Sequence, residues 1–132
     1  MEFRARSKYI KMSARKIRRV ADLIRGKDVE HAMEALYFIP KAAADPILRT
    51  LKSATANAMN SEDASKVKPE DLYVKEIRVD GGPIMKRIRP APMGRAYRIR
   101  KRTAHIDMKL AVRDDRIEEI QHEEKKKKKK RK

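Results

Sequence analysis

The stretch from Gly81 to Ile106, GGPIMKRIRPAPMGRAYRIRKRTAHI, constrains the fold more than any other part of this chain. It carries eight cations (Lys86, Arg87, Arg89, Arg95, Arg98, Arg100, Lys101 and Arg102) and no acid, and Asp80 and Asp107 bracket it. Pro90, Pro92 and Gly94 stand near its middle. These residue types stop strands and permit tight reversal. Its larger apolar residues, Ile84, Met85, Ile88, Met93, Tyr97 and Ile99, are spaced too widely to close a core. The pattern predicts a long cationic β-hairpin arm on a small globular body. At about 3.3 Å per residue, strands of about ten residues carry the tip about 30 Å out. A lone two-stranded hairpin is marginal in water, and charge is the main protection of its open edges. A partner that orders it must therefore be anionic. The competing reading of the same residues is a basic loop without defined structure.

Charge elsewhere agrees. The 132 residues hold 36 Lys or Arg against 19 Asp or Glu, a net charge of +17. Eight of these cations form the terminal run Lys125 to Lys132, and the remaining 124 residues still carry +9. The clusters are rich in Arg, whose planar fork matches phosphate oxygens and stacks on bases. Nucleic acid is the partner that this footprint favours. Cysteine is absent, which removes disulfides and thiolate metal sites and fits a reducing cytoplasm. No apolar run approaches the roughly 20 residues of a membrane span, so no membrane partner is expected.

The rest of the chain reads as the mount. Phe3, Ala5, Ser7 and Tyr9 alternate with Arg4, Arg6 and Lys8, the period of a half-buried strand with one basic face. Ser13 fits an N-cap, and Ile17, Val20, Ala21 and Ile24 follow at helical spacing, with Arg15, Lys16, Arg18 and Arg19 off that stripe. Gly26 closes this helix. Asp28 opens a second helix, with Val29, Ala32, Met33 and Leu36 inward, that ends before Pro40. A third helix lies within residues 41–60, and two starts fit it. Asp45 caps it with Pro46 at its first position, or the Ala42 to Ala44 run is already helical and Pro46 kinks it. Residues 61–70 read as a loop. From Leu72 to Val79 the alternation slips between Val74 and Ile77, which suggests a bulge or a two-sided strand. Ile106, Met108, Leu110 and Val112 alternate cleanly. A short helix is compatible with Asp114 to Glu124, and the Lys-rich run is expected to be disordered in isolation. The elements give an α+β fold: three helices packed on a small antiparallel sheet, with a long protruding basic β-hairpin. Residues 1–113 form one domain, its arm spanning about 81–106, and 114–132 a charged extension.

Catalytic constellations are missing. His31 and His122 have no partner at motif spacing, and there is no phosphate-binding glycine loop, HExxH or nucleophile elbow. Glu62, Asp63, Glu70 and Asp71, like Asp114 and Asp115, read as surface acids rather than metal ligands. No cofactor and no enzymatic activity are expected. A DNA-architectural protein is the competing binding class, since proline-tipped basic arms wedge between base steps. It would need a dimer, for which no apolar surface is evidently left over.

Three segments sharpen the choice: SARKIRRVADLIRGKDVEHAMEAL from Ser13, LKSATANA from Leu51, and VDGGPIMKRIRPAPMGRAYRIRKRTAHI from Val79. With these the chain resembles the bacterial large-ribosomal-subunit protein number twenty-two family over about residues 4–113. The order of GP, KR, P, GRA, KRT and H in the last segment is the most specific part. The resemblance implies a body near the opening of the nascent-peptide exit tunnel and an arm that penetrates large-subunit rRNA and helps it assemble. It implies neighbouring ribosomal proteins, including protein number four at the tunnel, and the nascent peptide as further partners, with no homo-oligomer. On this sequence the tunnel-lining tip falls on Ile88, Arg89, Pro90, Ala91, Pro92, Met93 and Gly94, within about Lys86 to Arg95. The arm's RNA grip falls on Lys86, Arg87, Arg89, Arg95, Arg98, Arg100, Lys101, Arg102 and His105. The body's RNA contacts are expected at Arg4, Arg6, Lys8, Arg15, Lys16, Arg18 and Arg19. Two departures stand out: Pro46 replaces an aliphatic residue, and GGP replaces the commoner acidic-residue-GP at the arm's root.

Overall fold

Two periodicities build the body, and both appear where the residues place them. The computed structural model describes residues 1–61 and 67–113. Expectations placed on Glu62 and Asp63, on His122 and on everything from Asp114 onward lie outside the described residues. Strand β1 (Glu2–Ile10) leads into three helices, α1 (Ala14–Ile24), α2 (Val29–Phe38) and α3 (Ala44–Asn60). A short 3-10 turn at Pro69–Asp71 then opens β2 (Leu72–Pro90), which returns as β3 (Ala96–Val112). The sheet is antiparallel in the order β1-β3-β2. This is the expected α+β architecture, helices on one face and a long hairpin reaching out.

Helical spacing seats the inner face. Ile17, Val20, Ala21 and Ile24 of α1 are fully buried, as are Ile47, Leu51, Ala54 and Ala58 of α3. They pack on Leu72 and Val74 of β2 and on Ile106, Met108 and Leu110 of β3. Each large side chain so buried contributes about 1.5–3 kcal/mol. Ala54 and Ala58 lack bulk, which lets α3 lie close to β1; there Asn57 Nδ2 donates to the Arg4 carbonyl at 3.0 Å. Ser13 occupies the N-cap of α1 with extended backbone, although its hydroxyl makes no cap bond. Gly26, at φ 77°, makes the left-handed turn after α1.

The ambiguities at Pro46 and Val74 resolve. Helix α3 begins at Ala44, so Pro46 stands in its first turn, where an amide has no partner inside the helix to lose. The helix runs unbroken, and Asp45 lies inside it rather than at its cap. In β2 the alternation slips because Lys75 is a bulge between Val74 and Glu76. Tyr9 departs from expectation. Its φ of 57° swings it out of the alternation. It is exposed, and Ile10 packs against the core in its place.

The arm is continuous with the sheet of the body. Both of its strands are extensions of body strands, and Gly82 with Pro83 forms a second bulge between Gly81 and Ile84. Pro83 is tolerated because the bulge leaves it out of the ladder. The open edge of β2 is covered by α1 and the turn after it. Gly26 N–H donates to the Val74 carbonyl (3.0 Å), and Val74 N–H donates to the Lys27 carbonyl (2.9 Å). Arg25 Nη2 donates to the Ile77 carbonyl (3.1 Å). Arg18 reaches the Val79 carbonyl with Nε (3.0 Å) and Nη2 (2.8 Å). An edge strand that would invite a foreign strand is closed in this way.

Candidate nucleic-acid interface

Where the arm leaves the body, α1 meets the arm's root and the turn before α3. Between them lies an open groove of about 680 Å³. Among the described residues, seven cations line it: Lys11, Lys16, Arg19, Lys41, Arg100, Lys101 and Arg102. The same lining holds no acid. Seven like charges around one cleft repel each other, which a polyanion relieves. A second concavity of about 540 Å³ is lined by Arg15, Arg18 and Arg102 together with Gly81, Gly82 and Thr103. Arg102 borders both. The groove thus joins two clusters that stand about eighty residues apart in the chain. Lys11 and Lys41 were not foreseen as its members. Both stand in connections between elements, where no periodicity flags them.

The arm repeats this logic strand against strand. Its register sets Lys86 opposite Arg100, Ile88 opposite Arg98, Arg87 opposite Ile99 and Arg89 opposite Tyr97. Directly opposed residues share a face. One face therefore carries Lys86, Arg98, Arg100 and Arg102, and the other Arg87, Arg89 and Lys101. A like-charged pair such as Lys86 and Arg100 destabilises a hairpin. Cations on both faces suit an element with anions on either side better than one that lies on a single surface. At the tip, Met93 (φ 61°) and Gly94 (φ 68°) turn the chain through left-handed backbone, and Ala91 N–H donates to the Arg95 carbonyl at 2.9 Å. Ile88 is 72 % and Met93 93 % exposed.

Other expected cations are placed differently. Arg4, Arg6 and Lys8 project from the outer face of the sheet, opposite the helices, so strand and helix form two basic surfaces and not one. Arg4 is engaged within the protein: its Nε donates to Asp107 Oδ1 at 2.7 Å, and Nη2 pairs with Oδ2. Arg18 is similarly engaged, on the Val79 carbonyl. His105 Nδ1 accepts the Tyr9 N–H at 3.0 Å, with the two rings edge to face at 4.9 Å. It thereby fixes the backbone turn at Tyr9.

The outer face is also where acid sensitivity resides. Arg4 holds the Asp107 carboxyl below its usual value, chiefly by hydrogen bonding. Lys109 and Arg78 do the same to Glu76, and Lys75 to Glu2. A depressed carboxylate stabilises the fold above its ordinary pKa, 3.8 for Asp107, and this contribution is lost as pH falls through the lower folded value. Asp107 is the best shielded partner, its side chain only 13 % exposed. Urea midpoints of the protein should therefore drop below about pH 4. Asp107→Asn should lower the midpoint at neutral pH and flatten that acid limb. An unchanged limb in the variant would remove Asp107 from the account.

Comparison with known proteins agrees with this fold. Residues 5–111 match the family model described as ribosomal protein L22p/L17e. The chain belongs to the ribosomal protein L22p/L17e family. Two proteins named large ribosomal subunit protein uL22, from Desulfitobacterium hafniense strains DSM 10664 / DCB-2 and Y51, are each 50 % identical to it over 103 residues. Those alignments cover 78 % of this chain and 88 % of each relative. The L22p/L17e match takes in all three helices and both faces of the arm. It makes the chain a ribosomal protein and not an enzyme.

Proposed function

We propose that this chain is a structural constituent of the large ribosomal subunit that binds rRNA through the arm–body groove and both faces of the arm. The groove lined by Lys11, Lys16, Arg19, Lys41, Arg100, Lys101 and Arg102 carries this reading. Its charge and its open form suit the sugar-phosphate backbone, which fixes position without reading sequence. The two-faced arm threads between RNA segments. One rigid element held by several RNA segments favours their folded arrangement over open ones, and so promotes assembly. At the tip, Ile88, Pro90, Pro92 and Met93 present a smooth apolar wall between Arg87 and Arg95. That surface suits a nascent-peptide tunnel, with ribosomal protein number four across from it, in the bacterial cytoplasm.

Lysate resolved on a sucrose gradient in moderate salt tests the assignment. The protein should sediment in about one copy per large subunit and be released by RNase. Migration with chromosomal DNA, with release by DNase and not by RNase, would overturn it.

A further inference from the structure

One exposed feature of the body is used neither by the core nor by the cationic groove. Helix α2 ends on Tyr37 and Phe38, which are 63 % and 86 % exposed. A phenylalanine left this open gains nothing from folding, because its burial energy is unspent. A lysine stands near each of the two aromatic residues, in space or along the chain. Lys52 Nζ stands 5.4 Å from the centroid of the Tyr37 ring. Lys41, three residues beyond Phe38, is itself a wall of the basic groove. Three residues of chain reach at most about 11 Å, so the backbone of Phe38 stands within that distance of a residue that walls the groove. The nearby acid Asp45 is paired with Arg49 at 2.9 Å.

We propose that Phe38, beside Tyr37, is a stacking platform for an unpaired base of the RNA strand whose phosphates occupy the groove. This rests on the RNA-binding reading above and adds a contact to bases. Aromatic rings bordered by cations take single-stranded nucleic acid in this way, since every base offers a π face while the phosphate stays with the lysines. Glu34, one turn before Phe38 on the same side of α2, is the exposed acid beside the ring. It repels a phosphate and leaves the ring to the base. An apolar protein partner would cover the same ring, but the seven cations of the adjoining groove, Lys41 among them, favour a polyanion.

Binding of the full chain to a short oligoadenylate and to an abasic RNA strand of equal length separates these possibilities. The Lys-rich C-terminal run contributes alike to both probes. Phe38→Ala should weaken oligoadenylate binding about tenfold and leave the abasic strand unaffected. Phe38→Leu, which keeps apolar area without a π face, should behave like Phe38→Ala, and Phe38→Trp should restore binding. Equal binding of wild type and Phe38→Ala to oligoadenylate would overturn the platform and point to a protein partner for this ring. Failure of the wild-type chain to bind either probe would instead overturn the RNA-binding reading beneath it.

Discussion

Replacing Gly82 with alanine should destabilise the protein by about 2 kcal/mol, far more than a glycine in an exposed strand ordinarily would. The glycine sits in the bulge where body becomes arm. A Cβ there would overlap Thr103 Oγ1 and come within 3.2 Å of His105 Nε2. Thr103 cannot turn aside cheaply, because its hydroxyl donates to the Pro83 carbonyl at 2.7 Å and the residue is buried. Giving up that bond costs about 0.5–1.5 kcal/mol, because water can replace it on the exposed Pro83. His105 cannot retreat freely either, since it accepts the Tyr9 N–H. Equilibrium urea denaturation of Gly82→Ala, Thr103→Ala and the double variant measures this. Thr103→Ala removes the obstructing oxygen, so the double variant should be more stable than the sum of the two losses predicts, by about 1 kcal/mol. Strict additivity would mean that the two side chains do not meet. The same pair stands at the bulge where the arm leaves the body. Gly82→Ala should therefore also impair incorporation into large subunits at temperatures where the chain remains folded.

Gly82 also marks the limit of what the residues alone disclose. Local period carried most of the fold: the α1 stripe, the Ile106–Val112 alternation and the slip at Lys75 are each visible in a window of ten residues. Stiff side chains and a buried face leave such patterns little freedom. The GGP step does not disclose its form in the same way, because a bulge and a bend use the same residues. Only the strand across from them decides, and Thr103 and His105 are more than twenty residues away. The site was legible in the same partial way. Arginine clusters mark a polyanion surface, but not which guanidinium groups are already spent. Arg4 and Arg18 look like Arg6 and Arg19 in composition. What separates them is Asp107 across the sheet and an open carbonyl at Val79, both supplied by tertiary structure. Lys11 and Lys41 escaped notice for the complementary reason, since a cation in a connection acquires meaning only from what the fold sets beside it.

That division among cations predicts a large and selective loss. Converting Arg19, Arg100 and Arg102 together to alanine should weaken binding to a large-subunit rRNA fragment on the order of 100-fold at moderate salt. All three line the groove and are exposed. Their removal should change stability by no more than about 0.5 kcal/mol each. If each neutralises one phosphate, the slope of log affinity against log salt should become shallower by about 2–3. Arg4→Ala and Arg18→Ala supply the contrast. Both guanidinium groups already hold the protein together, one on Asp107 and one on Val79. Their loss should lower the urea midpoint while leaving the salt slope near that of the wild-type chain. Filter-binding titrations across a salt series, run beside urea denaturation of the same variants, resolve the two patterns. A groove variant with a wild-type slope would remove the groove from the interface. An Arg4 or Arg18 variant that lost slope without losing stability would show that the RNA competes successfully for a cation the fold already holds. The arm's own charge argues against that second outcome. With Lys86 set against Arg100 and cations on both faces, the arm presents charge that no acid among the described residues neutralises, and a phosphate backbone gains more there than by breaking a bidentate pair.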